Sequence, residues 1–90
     1  MRKHADWMAY ADERILEYLR ENGNAQPSEI ASGLAEAGDD MGFNAKYLGR
    51  RCRKLDKFGL VDRKGRGVYS LTDTGESYLD GEYDAGSLEE

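Results

Sequence analysis

The stretch that decides the fold is Asn44-Ala45-Lys46-Tyr47-Leu48-Gly49-Arg50-Arg51-Cys52-Arg53-Lys54-Leu55-Asp56-Lys57-Phe58-Gly59. Advanced at 100° per residue, Leu48, Cys52, Leu55 and Gly59 fall within about 60° of one another, which makes an inward face. Lys46, Arg50, Arg53 and Lys57 follow i, i+4, i+7, i+11 and share the opposite side. Tyr47 and Lys54 flank them, and Arg51 lies nearer the boundary with the core. Asn44 is a favoured N-cap, and Phe43 and Leu48 have the spacing of a hydrophobic staple. The reading is a helix over 45–58 that stops at Gly59, apolar within and cationic without.

Upstream, Met8, Ala11, Ile15, Leu16 and Leu19 repeat at helical spacing, predicting a helix from Ala11 to Asn22 that Asn22-Gly23-Asn24 ends. Ala25-Gln26 is a short connector with room for one or two residues of strand. Pro27 suits a first helical turn, and Ile30, Ala31, Leu34 and Ala35 give a second stripe, closed by Gly38. Gly33 inside it costs about 1 kcal/mol relative to Ala. Asp39 to Phe43 is a loop.

Downstream, Leu60-Val61-Asp62-Arg63-Lys64 and Val68-Tyr69-Ser70-Leu71 are β-rich runs joined by Gly65-Arg66-Gly67, the pattern of a hairpin. Thr72-Asp73-Thr74-Gly75 turns the chain, and Glu76 to Leu79 is a helical turn or more.

Three helices, a hairpin and a short C-terminal helix make an α+β fold, a winged helix-turn-helix over residues 11–80. It is preceded by an arm (1–10) and followed by an acidic tail (81–90). The expected core is Ile15, Leu16, Leu19, Ile30, Leu34, Leu48, Cys52, Leu55, Leu60, Tyr69 and Leu71. Ninety residues hold one domain, with little volume left for a catalytic pocket.

Net charge is −5, yet the distribution is directed. Phe43 to Leu71 carries nine Lys and Arg against two Asp, a net +7, while 1–42 stands at −5 and 72–90 at −7. In the first helix acids alternate with bases (Asp12, Glu13, Arg14, Glu17, Arg20, Glu21), as on a solvated face. The third helix lacks that alternation, which points to a polyanion partner.

An α-helix fits the major groove of duplex DNA, where an Arg fork pairs bidentately with guanine. Early residues of such a helix reach bases and later ones meet phosphate. Asn44, Lys46, Tyr47 and Arg50 are therefore assigned to the groove, and Arg53, Lys54 and Lys57 mainly to the backbone, with Arg51 in the same contact set. In the wing, Arg63, Lys64 and Arg66 surround Gly65 and Gly67, whose backbone can approach a phosphate closely; wing 63–68 is placed on the backbone or in the minor groove.

The other candidates read as structure. Cys52 is a small buried hydrophobe. His4 has no assigned role. Trp7, Met8 and Tyr10 are core or dimer contacts. No nucleophile–base pair, zinc-ligand spacing or nucleotide-binding loop is present, so no enzymatic activity, cofactor, metal or small-molecule substrate is expected. No stretch approaches the roughly 18 apolar residues of a membrane span, and no apolar segment follows the basic Met1-Arg2-Lys3-His4 start, so a cytoplasmic location is expected.

The run Tyr47-Leu48-Gly49-Arg50-Arg51-Cys52-Arg53-Lys54-Leu55, with Gly59-Leu60-Val61, Gly65-Arg66-Gly67-Val68-Tyr69, Thr72-Asp73-Thr74-Gly75 and Tyr78-Leu79, resembles the haloarchaeal phage phi-H repressor-like winged-helix proteins. Asp6-Trp7-Met8 before Asp12-Glu13-Arg14-Ile15-Leu16 is similar to how those proteins begin. The resemblance spans roughly residues 6–84 and implies a sequence-specific DNA-binding regulator of repressor type and a halophilic source. Glu36 to Phe43 departs from it, being longer than the tight turn many relatives carry.

A homodimer is expected, because such domains commonly read two half-sites. Its contacts would come from Trp7, Met8, Tyr10, Tyr78, Leu79, Tyr83 or Leu88. The alternative is a protein-interaction winged helix whose basic face docks an acidic partner, including the acidic tail in cis.

Overall fold

A computed structural model describes residues 8–38 and 43–82. Four helices and one hairpin follow in the order α1 (Tyr10–Asn22), α2 (Pro27–Glu36), α3 (Ala45–Lys57), β1 (Val61–Arg63), β2 (Tyr69–Leu71) and α4 (Asp73–Leu79). This is the winged helix that the sequence predicts, with the short C-terminal helix in place.

Each helix begins where side chains or Pro satisfy the first-turn backbone. In α1 the Asp12 carboxylate accepts the Ala9 N–H at 2.9 Å. In α2 Pro27 opens the helix, and Glu29 accepts the Gln26 backbone N–H at 2.9 Å. The Asn44 side chain accepts from Tyr47 N–H at 2.8 Å in α3, and Thr72 accepts from Gly75 N–H at 3.1 Å in α4. After α1 and α3 the chain turns through glycines in left-handed conformation, Gly23 (φ +85°) and Gly59 (φ +81°). Helix α2 stops at Glu36, two residues before Gly38.

Gly33 has a packing reason. A Cβ there would stand 2.2 Å from Cε2 of the Tyr18 ring, so the missing side chain is the space that ring occupies against α2.

The hairpin is antiparallel, pairing Val61 with Leu71, Asp62 with Ser70 and Arg63 with Tyr69. On the other side of β2, Ala25 adds a single bridge: Tyr69 N–H donates to Ala25 at 2.9 Å, and Ala25 N–H donates back at 3.1 Å. The connector strand expected at Ala25 is therefore real and ties the wing to the entrance of α2.

The core gathers Ile15, Leu16, Leu19, Ile30, Leu34, Leu48, Cys52, Leu55, Leu60 and Tyr69, all buried as expected, with Leu71 half-buried against them. It also takes residues the sequence reading did not place there: Ala11, Ala25, Val61 and Phe58. Of the residues offered above, Met8 takes the core role of its two readings, and the dimer reading of Tyr78 and Leu79 is corrected. Tyr78 is wholly buried, and Met8 and Leu79 are 7% and 6% exposed, so their surface is already covered within one chain. The Tyr78 hydroxyl donates to Glu13 at 2.9 Å, which lets a polar tip sit in an apolar interior. Tyr10, 51% exposed, keeps free surface; Trp7, Tyr83 and Leu88 lie outside the described residues, as do His4 and most of the arm and tail. Phe43 stacks on Tyr47 (centroids 5.9 Å apart) and lies 6.4 Å from Tyr10, joining the starts of α1 and α3.

Candidate nucleic-acid interface

Helix α3 sorts its side chains as the spacing predicts. Leu48, Cys52 and Leu55 are fully buried, whereas Lys46, Arg50, Arg53 and Lys57 are exposed. Tyr47 and Lys54 are half-buried at the flank. The helix is pinned by three close-packed apolar side chains, so the cationic face has a fixed direction. Among the described residues no carboxylate forms an ion pair with Lys46, Arg50 or Arg53. The Lys57 ammonium lies 5.9 Å from the centroid of the Phe58 ring, a cation–π contact on a residue that is exposed. Asn44 uses its side-chain oxygen in the cap, leaving the amide nitrogen as a donor.

Arg51 departs from this set. Its Nε donates to Asp12 Oδ1 at 2.8 Å, and its Nη2 pairs with Oδ2 of the same carboxylate. Asp12 is fully buried, and the Arg51 side chain is 18% exposed. Donation to the Asp12 carboxylate raises the Arg51 pKa above its ordinary value, keeping the guanidinium charged. Arg50 and Arg51 are adjacent in sequence but about 100° apart around the helix, one facing outward and the other, at the boundary with the core, locking α3 onto α1.

The structure corrects the reading of Asp12 as one of the solvated acids of the first helix, since it is fully buried, and the spacing carried a signal of that. Continuing the α1 stripe at 100° per residue puts Asp12 between Ala11 and Leu16, inside the apolar arc. An acid there needs a cation, and the angle of Arg51 makes it the candidate on α3.

The wing presents Arg63, Lys64 and Arg66, all exposed. Lys64 Nζ is 3.0 Å from Asp62 Oδ2, an ion pair more than half exposed on both sides and easily exchanged. The tip is unusual: Gly65, Arg66 and Gly67 have φ of +74°, +48° and +77°. Arg66 is the one described non-glycine residue with left-handed backbone, a conformation that disfavours a Cβ. Lys64 N–H donates to Val68 at 2.7 Å, and Val68 N–H to Gly65 at 3.0 Å, closing the turn.

A groove of about 450 Å3 runs between α1 and α2, where Glu17, Glu21 and Glu36 outnumber Arg14, so its net charge disfavours phosphate. Burial also acts on the Cys52 thiol. With a contribution from the Asp12 charge, it pushes the thiol up to about 12 from an ordinary 9.0. A fully buried thiol held in its protonated form is inert. In the native protein a thiol reagent at pH 8 is expected to label Cys52 only as fast as the chain unfolds. Labelling within seconds, without unfolding, would contradict that placement. The raised value also sets a sign: the contribution of the neutral thiol to stability is complete below about pH 9 and declines as pH rises toward 12.

With the fold and this face described, comparison with known proteins is decisive. A family model described as "Winged helix-turn-helix phage repressor" matches residues 1–90. The chain belongs to that family. In general terms it is a DNA-binding repressor. Its similarity to the repressor protein of Halobacterium phage phiH is 33% identity over 92 residues, covering 99% of this chain and 98% of that one. It is also similar to the PhiH1 repressor-like protein from Haloarcula marismortui, whose crystal structure superposes with a TM-score of 0.85. That pair shares 40% identity, over 98% of this chain and 94% of the other. One relative comes from a phage of Halobacterium and the other from Haloarcula marismortui, in keeping with the acid excess outside residues 43–71. No helix among the described residues is long and apolar enough to cross a membrane.

Proposed function

We propose that this repressor recognises specific duplex DNA sequences by inserting α3 into the major groove. Asn44, Lys46, Tyr47 and Arg50 reach base edges near the helix start. Arg53, Lys54 and Lys57 meet phosphates, and Arg63, Lys64 and Arg66 of the wing meet the flanking backbone or minor groove. Arg51 is left out of this set because Asp12 holds its fork. The observation that carries the reading is the exposed Lys46–Arg50–Arg53–Lys57 face on a helix whose other face is fully buried. A homodimer presents two such helices to two half-sites, and exposed Tyr10 is available to that contact.

Salt dependence tests the phosphate assignments. Six cations at the end of α3 and on the wing give an upper bound of about 5 for the log–log salt slope per protomer at low salt, at about 0.9 per phosphate. Lys57→Ala is expected to reduce the slope by about 0.9 and to weaken all sequences alike. In molar salt the slope flattens, and base readout, shape fit and dimerisation carry the specific affinity. A steep slope persisting into molar salt contradicts that division. Absence of duplex binding at any salt, with capture of an acidic protein instead, would turn the basic face to a protein partner.

A further inference from the structure

The two elements assigned to DNA, α3 and the wing, follow one another in the chain with only residues 58–60 between them, yet the wing tip must be held at a fixed separation from α3 to act on one duplex. The segment Ala25-Gln26-Pro27 touches both. Ala25 exchanges two backbone hydrogen bonds with Tyr69 of β2. Pro27 faces α3, where a Cβ added at Gly49 would lie 3.8 Å from Pro27 Cγ. Between them, Gln26 Nε2 donates to the backbone carbonyl of Arg66 at 3.1 Å, 40 residues away in sequence.

That bond lands on the wing tip at its least favoured backbone position. Flanking glycines adopt positive φ without a side-chain clash, whereas Arg66 at φ +48° does so against its Cβ. The two backbone bonds that close the turn, Lys64 N–H to Val68 and Val68 N–H to Gly65, leave the Arg66 peptide itself unheld by the hairpin. The bond to its carbonyl, from a side chain rooted at the start of α2, supplies that hold. The Gln26 amide is not otherwise needed for the helix start, because Glu29 caps through the Gln26 backbone N–H.

We infer that Gln26 is a positioning residue: its side-chain amide straps the Arg66 carbonyl so that the Arg66 guanidinium meets the duplex at a set distance from α3. This rests on the DNA reading of the wing. Gln26 itself touches no DNA in this account. The alternative partner chemistry, a direct Gln26–phosphate contact, is an outcome of the test.

The experiment is a double-mutant cycle on duplex affinity with wild type, Gln26→Ala, Arg66→Ala and the double variant, read with the thermal midpoint of each. Gln26→Ala is expected to weaken binding by roughly two- to tenfold, the range of one ordinary hydrogen bond, with little change in thermal midpoint. In the Arg66→Ala background the same substitution should cost nothing, because no guanidinium remains to be positioned. Equal loss in both backgrounds would overturn the strap in favour of direct contact by Gln26. No loss in either would show that the tip holds itself. A second readout needs no DNA: the heteronuclear NOE of the Arg66 and Gly67 amides in the free protein should drop in Gln26→Ala. If wild type fails to bind duplex while this NOE drops, the DNA reading falls and the strap stands; an unchanged NOE removes the strap whatever the DNA result.

Discussion

Asp12→Ala is expected to lower the unfolding free energy by about 3–5 kcal/mol, the loss seen when one member of a buried ion pair is removed. The carboxylate is fully buried and serves two partners, the Ala9 N–H at the start of α1 and the Arg51 fork on α3. Removing it takes away the buried carboxylate that faces a guanidinium of 18% exposure, on a helix that cannot move without exposing Leu48, Cys52 and Leu55. Since small domains are stable by roughly 5–15 kcal/mol in total, the loss is a large fraction. Urea unfolding followed by circular dichroism measures it. Pairing Arg51→Met with Asp12→Leu should recover part of the deficit, because the guanidinium goes with its carboxylate. A loss below about 1 kcal/mol for Asp12→Ala, the range of a surface pair, would mean that the contact does not hold α3 to α1.

Gly75→Ala is the second large effect, through crowding rather than charge. A Cβ at Gly75 would stand 2.3 Å from the Leu60 carbonyl oxygen and 2.5 Å from Leu71 Cδ1. The leucine end can rotate away. The Leu60 carbonyl cannot, because it accepts the Thr72 N–H at 3.2 Å and lies 3.0 Å from the Thr72 hydroxyl. Alanine there must push α4 off the entrance to β1, against buried Tyr78 and Leu79. Overpacking of this kind costs about 1–3 kcal/mol and sometimes more, and contact with backbone places Gly75→Ala at the top of that range. At roughly 4–8 °C per kcal/mol for a domain this size, the midpoint should fall by about 12 °C or more. A fall of only a few degrees would show that α4 shifts freely. The same geometry explains the Thr72-Asp73-Thr74-Gly75 motif: Thr72 caps α4 and bonds back toward β1, and Gly75 allows the two to approach.

What the sequence made legible follows from where the information lies. The α3 face was readable because thirteen consecutive residues repeat one period without interruption, and local periodicity needs no knowledge of the partner. The hairpin was readable from its glycines, and Ala25 from the lack of helical pattern around it. Arg51 was assigned to DNA because composition marks it as one more cation in a basic run. Its true partner lies 39 residues away, and only the position of Asp12 inside an apolar arc hinted at it. Met8 was left open between core and interface, and Tyr78 and Leu79 were offered to an interface, for a related reason: apolar residues near the chain's ends do not reveal whether their own chain or a second one covers them. The Gln26–Arg66 bond left no sequence signal at all, since glutamine in a connector is commonplace and the tip geometry exists only in the folded chain.

The central claim is that α3 reads base sequence through its exposed face, with Arg50 at its centre. Selection from a pool of random duplexes, at high and low potassium chloride, compares wild type with Arg50→Ala most directly. The account predicts that wild type enriches a defined, two-fold symmetric site and that Arg50→Ala changes the preferred base at one position per half-site, at a discrimination of about 1–3 kcal/mol. Enrichment of the same site with unchanged base preference by both proteins would contradict it, placing Arg50 on the backbone and sequence reading elsewhere.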